Sequence, residues 1–151
     1  MLPKWHILFG FVLSYILVYL FKLSLLAGSI VFLSSFLIDL DHYIYFVFKK
    51  KSLSYVKARK YYAERNEIWK KLSKEEKNNY KYPIMIFHGI EFWILLALLG
   101  FISPIFFWIL MGIGVHMVAD WADLFERKER IYVKLSQGYT CLANKNKRYL
   151  K

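Results

Sequence analysis

Residues 34–46 read SSFLIDLDHYIYF. An apolar run ends in Asp39, Asp41 and His42 and then turns aromatic again. Ionisable groups so close together, beside a stretch that suits hydrocarbon, are costly because charges lose their hydration there. What they hold depends on what the rest of the chain brings to the same place.

The flanking sequence sets the class of protein. The chain has 151 residues, is 58% hydrophobic and 20% aromatic, and still carries a formal charge of +11. The two properties coexist because they are segregated. Residues 7–40 contain one basic residue, Lys22, and no acid before Asp39; residues 83–119 contain no Lys or Arg, and Glu91 is their only acid. That pattern predicts membrane spans separated by polar segments, in a chain of single-domain length. The first apolar block breaks at Lys22–Ser24, giving helices near His6–Phe21 and Leu25–Asp39. The second breaks at GFISP, where Gly100 suits a helix C-terminus, Ser103 an N-cap and Pro104 a first turn, giving helices near Pro83–Leu99 and Pro104–Asp120. Each apolar core has about 14–18 residues, roughly 21–27 Å of helix, which makes a short span. The expected fold is all-α, an integral membrane bundle of about four transmembrane helices. The N-terminal run is longer than a signal-peptide core and further spans follow, so it reads as retained. Cys141 is the single cysteine, so no intramolecular disulfide is expected.

The polar segments divide into an insertion at 47–82 and a basic tail at 125–151, around a helical domain over 1–124. The insertion reads as one amphipathic helix from about Ser54 to Leu72, then a short helix opened by Ser73 and Glu76 in a capping-box pattern. Tyr55, Tyr62, Ile68, Trp69 and Leu72 form an apolar stripe for the membrane surface or the bundle; a solvated basic hairpin is the alternative. Four antiparallel spans put both termini and the insertion on one side. Of the 22 Lys and Arg residues, all but Lys22 fall there. By the positive-inside rule that side is cytoplasmic, in a multi-pass cell-membrane protein.

The four histidines fall on that same side. His6 starts the first span, His42 follows the second, His88 starts the third and His116 lies near the end of the fourth. Asp39 and Asp41 flank His42, Glu91 follows His88 at i+3, and Asp120 follows His116 at i+4, with Asp123 continuing that helical face. Imidazole and carboxylate are the ligands of Zn²⁺, Mn²⁺ or Fe²⁺, and this set suffices for more than one ion. Each piece has a plainer reading. A lone interfacial histidine is usually only polar surface, an HxxxD pair often forms an internal hydrogen bond, and Asp-x-Asp-His can simply end a helix. Four histidines reaching the same end of four spans favour a metal centre built from His6, Asp39, Asp41, His42, His88, Glu91, His116 and Asp120. Asp39, Asp120 or Glu91 is then the candidate general base.

These motifs, in this order, resemble the YdjM-like family of membrane-bound, metal-dependent hydrolases. LPKWH supplies His6, DLDH supplies Asp39, Asp41 and His42, FHGIEFW supplies His88, and GIGVHMVAD supplies His116 and Asp120. The last stretch is also similar to the helix motif of zinc-dependent phospholipase C. The resemblance covers residues 1–124 as an order of motifs. Two departures stand out: the family's Pro-Thr-His is loosened to Pro3-Lys4-Trp5-His6, and Glu91 stands where a second histidine of the third motif is expected. The resemblance implies hydrolysis with one to three divalent ions, zinc foremost. The favoured substrate is a phosphoester or phospholipid-like molecule, because bridging metals suit in-line displacement at phosphorus. Membrane lipid and an anionic amphiphile are the expected partners, and no specific nucleic-acid partner is expected. The alternative is a non-enzymatic membrane protein that binds or moves metal, or a basic membrane adaptor. A Gly-rich phosphate loop is missing, which argues against nucleotide-driven activity.

Overall fold

A computed structural model describes residues 3–150, which are helical with no strand among them. Helix α1 covers Pro3–Tyr19, α2 Leu25–Leu37 and α3 Leu40–Lys50. The insertion forms α4, Tyr55–Lys71, and the single turn α5, Lys74–Lys77. A 3-10 turn at Ile86–His88 leads into α6, Ile90–Gly100, and α7, Ile105–Glu126, before the short helices α8, Tyr132–Leu135, and α9, Gln137–Ala143.

Helices α2 and α7 pack most extensively on each other, with α1 against both and α6 against α7. Small residues allow this. A Cβ placed on Gly112 of α7 would collide with Ser34 Oγ and with the Val31 carbonyl oxygen of α2. Ser14 Oγ of α1 donates to the Gly28 carbonyl of α2 at 2.6 Å. Close backbone approach with serine hydroxyls bonded to carbonyls is the packing that helices use where no aqueous hydrophobic effect drives them together. Below these contacts Ile38, Leu96, Ile113 and Met117 form the buried apolar cluster.

The outside of the bundle is apolar. Leu25 is 75% exposed, Leu98 60%, Phe101 83% and Ile102 80%. Two helical stretches, Leu25–Lys50 and Ile105–Glu126, are long and apolar enough to cross a membrane; α1 and α6 are shorter apolar helices.

The element boundaries differ from the sequence expectation in two informative ways. The second helix does not stop at Asp39. Asp41 N–H donates to the Ile38 carbonyl at 3.3 Å and His42 N–H to the Asp39 carbonyl at 3.1 Å, so three-residue bonds carry the chain through a tight turn into α3. The third helix starts at Ile90, not near Pro83. Met85 N–H donates to Gln137 Oε1 at 2.8 Å and Phe87 N–H to Asp41 Oδ2 at 3.3 Å. Those donors serve tertiary partners and leave 83–89 outside the helix.

The basic insertion folds as expected. Ser54 caps α4 by accepting from Lys57 N–H at 3.3 Å, and Ser73 and Glu76 complete a capping box on α5. Tyr62 and Trp69 face the body, whereas Tyr55 is 66% and Ile68 42% exposed, so only part of the expected stripe is used. The C-terminal segment turns back on the insertion: the Asn144 side chain accepts from Tyr82 N–H at 3.0 Å and donates to its carbonyl at 2.9 Å.

Substitution Gly112→Ala is expected to cost about 1–3 kcal/mol, because the rigid Val31 carbonyl stands in the way. Gly114→Ala, which meets nothing within 4 Å, is expected to be neutral or stabilising. Thermal midpoints of the two variants in detergent check the difference; equal midpoints would sink the close-packing account.

Candidate metal centre

Two breaks in helical regularity and two helices bring the site together. Helix α1 supplies His6, the turn between α2 and α3 supplies Asp39, the first turn of α3 supplies Asp41 and His42, the 3-10 turn supplies His88, and α7 supplies His116 and Asp120. His6, His88, His116 and Asp120 are buried, whereas Asp39 and His42 are about one-third exposed at 34% and 30%.

One ligand atom from each of His88, His116 and Asp120 lies within 4.8 Å of the others, with Asp39 beside the two histidines. His88 Nε2 lies 3.7 Å from Asp39 Oδ1 and 3.6 Å from Asp120 Oδ2; His116 Nε2 lies 3.6 Å and 3.3 Å from the same two oxygens. Donors about 2.1 Å from a tetrahedral ion stand about 3.4 Å apart, so these spacings suit a single cation. Two further groupings share these residues: Asp39, His42 and His88 form one, and His6, Asp39 and His116 the other. Asp39 therefore stands between neighbouring positions. His6 stacks on His116 with ring centroids 3.9 Å apart, and His6 Nε2 lies 3.5 Å from Asp120 Oδ1.

The outer nitrogens fix the rings. His88 Nδ1 meets Asp41 Oδ2 at 2.9 Å, and His116 Nδ1 donates to the Ser35 carbonyl at 2.8 Å. Both Nε2 atoms are buried with no hydrogen-bond partner. A buried polar atom left this way is costly, and an imidazole held at Nδ1 with its Nε2 lone pair directed inward is the form that ligates metal. The donor set fits a divalent ion, and this buried His/Asp group can hold one.

Two residues expected among the ligands sit differently. Asp41 holds two histidines, His88 through Oδ2 and His42 through Oδ1 at 2.9 Å, so it orients the rings from behind. Glu91 lies outside the cluster. It accepts from Ser136 Oγ at 2.6 Å, Gly138 N–H at 2.9 Å and Gln137 N–H at 3.2 Å, capping the first turn of α9. A carboxylate there satisfies orphan amides and the positive end of the helix. Asp123 ion-pairs with Arg127 at 3.0 Å.

Lys134 is a site neighbour that local sequence does not mark. This residue of α8 brings its ammonium to Asp120 Oδ2, balancing part of the buried negative charge. In a basic tail no spacing distinguishes it from its neighbours. Tyr62 belongs to the expected apolar stripe, yet its hydroxyl reaches the site and donates to the His42 carbonyl at 2.7 Å. Burial pushes its phenol well above the usual range, and burial followed by Glu129 pushes Tyr82 up to about 12, so both remain neutral.

Comparison of the chain with protein-family models, curated proteins and solved structures finds no match. The functional reading therefore rests on the geometry and chemistry of the residues themselves.

Asp41→Asn is expected to weaken metal binding about 10–100-fold, because it disturbs the group that orients His42 and His88. Glu91→Gln should leave metal content unchanged while loosening α9. Metal titration of both purified variants decides between them; a loss of metal in Glu91→Gln would return that residue to the ligand set.

Proposed function

We propose that this chain is a membrane-embedded, metal-dependent hydrolase acting on a phosphoester at the cytoplasmic membrane face, of the kind that the YdjM-like resemblance suggests. One observation carries the reading. The unpartnered Nε2 atoms of His88 and His116 lie within 4.8 Å of each other and of a carboxylate oxygen of Asp120, with Asp39 Oδ1 3.7 Å and 3.6 Å from the two nitrogens, while the opposite nitrogens are anchored.

The membrane assignment is supported by the exposed apolar outside of α1, α2, α6 and α7 and by the serine–glycine contacts inside. In this reading all four are spans, α1 and α6 being short ones, and the basic 47–82 and C-terminal segments lie in the cytoplasm. A transporter would carry its ligands near the bilayer midplane; His6, Asp39, Asp41, His42 and His88 lie at helix ends and turns, and only His116 and Asp120 lie within a helix, which favours chemistry at an interface.

Zinc, or manganese or iron, would polarise the phosphoryl group and acidify a bound water. The protein's own residues do the rest. Asp41 and the Ser35 carbonyl hold the imidazoles in the ligating tautomer. Of the three carboxylates read as candidate bases, Glu91 caps α9 and Asp120 is buried beside Lys134. Asp39 is part-exposed at the open edge and is the group placed to accept the proton of the attacking water.

Full-length protein in detergent should contain stoichiometric metal, lose phosphoesterase activity on chelation and regain it with Zn²⁺ or Mn²⁺. His116→Ala should abolish both metal and activity, and Asp39→Ala, which removes a ligand oxygen together with the base, should lower metal content and reduce kcat by about 10²–10⁴-fold. Wild-type protein without stoichiometric metal would overturn the proposal. A reporter fused after Lys151 tests orientation separately, and a non-cytoplasmic signal would reverse it.

A further inference from the structure

A cleft of about 580 Å³ opens beside the histidine cluster, between α4, the chain at Tyr82–Pro83, the end of α7 and the segment leading into α8. It meets the cluster at two residues. His42 lies on its wall and belongs to one of the metal groupings; Lys134 lies on its wall and contacts Asp120. Much of the remaining wall is apolar or aromatic, from Trp69, Tyr82, Leu124 and Val133.

The charges on this wall are unequal in their pairing. Lys77 lies 2.6 Å from Glu129, Arg127 3.0 Å from Asp123 and Lys70 2.9 Å from Glu67. Arg65 and Arg130 also line the cleft, but their hydrogen bonds go to neutral oxygens. Arg65 donates to the Lys81 carbonyl at 3.2 Å and the Tyr61 hydroxyl at 3.4 Å, and Arg130 to the Tyr132 hydroxyl at 2.8 Å. Among the described residues neither guanidinium has a carboxylate partner. Two uncompensated guanidiniums over an apolar wall form a receptor for an anion with an apolar body, and their planar forks match phosphate oxygens.

We propose that this cleft is the substrate-binding site, and that its ligand is a phosphate ester bearing an apolar group, held by Arg65 and Arg130 with the apolar part along Trp69, Tyr82 and Val133. The assignment as a substrate site rests on the hydrolase reading above; the anion-binding property does not. Such a ligand can come from solution or from a lipid headgroup. The cleft lies among the basic segments, where both sources meet the protein.

The test uses the full chain in detergent, stripped of metal by chelation, so that binding is read without hydrolysis. The soluble probe is bis(p-nitrophenyl) phosphate, with uncharged p-nitrophenyl acetate as control. The lipid probe is phosphatidic acid in phosphatidylcholine mixed micelles, compared with phosphatidylcholine alone. Arg130→Ala and Arg65→Gln should each weaken phosphate-ester binding about tenfold, with circular dichroism unchanged. Lys60→Ala, a cation away from the cleft, should not alter it. Selective binding of either probe supports the cleft and identifies the source. Absence of binding in both arms, or equal effects of all three substitutions, would overturn it. The two proposals fail separately. Metal-free, inactive protein that still binds selectively through Arg65 and Arg130 removes the hydrolase and keeps the anion site. An active enzyme whose KM ignores both arginine substitutions removes the cleft and keeps the hydrolase.

Discussion

Two imidazole nitrogens, Nε2 of His88 and His116, are buried with no hydrogen-bond partner and face two carboxylate oxygens. Burying such atoms normally costs about 1–3 kcal/mol each. The structure nevertheless secures them on the far side of each ring, through Asp41 and through the Ser35 carbonyl. The helix kink at Ile38–Asp39, the 3-10 turn at Ile86–His88 and the continuation of α7 past Asp120 each place one part of this arrangement. The irregular backbone supplies Asp39 and His88, and the regular helices α1 and α7 bring His6, His116 and Asp120 to meet them.

The polarity of the bundle fits the membrane setting proposed for it. Glycines and serines line the α1–α2–α7 contacts, and leucines and phenylalanines point outward. In water this would leave a weakly driven core and a large apolar surface. In a bilayer the outward side chains are solvated by lipid, and close packing with internal hydroxyl bonds holds the helices. The Gly112 contact with Val31 and Ser34 lies one turn from His116 on α7, so the close approach also sets how near Ser35 of α2 comes to that ring.

Much of this was legible in the sequence because it follows from local pattern. The apolar blocks, the Ser54 and Ser73 caps and the gathering of four histidines at one end all follow from spacing and charge segregation. What was not legible depends on contacts across long chain separations. Glu91 and Asp39 have the same three-residue separation from a histidine, yet Asp39 enters the cluster and Glu91 caps α9 some 46 residues later in sequence. Helical spacing says which residues share a face, not which partner that face meets. Lys134 was hidden for the same reason: its role depends on a tail that folds back, and nothing local marks that return.

Burial across the site gives it a direction. His6, His116 and Asp120 are each 1% exposed and His88 is fully buried, whereas His42 and Asp39 remain about one-third open. The closed end is packed by α1 and by the stacked His6–His116 pair. In the proposed function a substrate would enter from the His42 side, where Tyr62 bonds the His42 carbonyl and the cleft begins. The charges follow the same gradient. At the buried end Asp120 is paired with Lys134 in a group that can hold a metal ion. The open end carries Arg65 and Arg130, whose hydrogen bonds go to neutral oxygens. Under the proposed function, an anion in the cleft would lie beside His42, which neighbours Asp39, the carboxylate assigned there as the base.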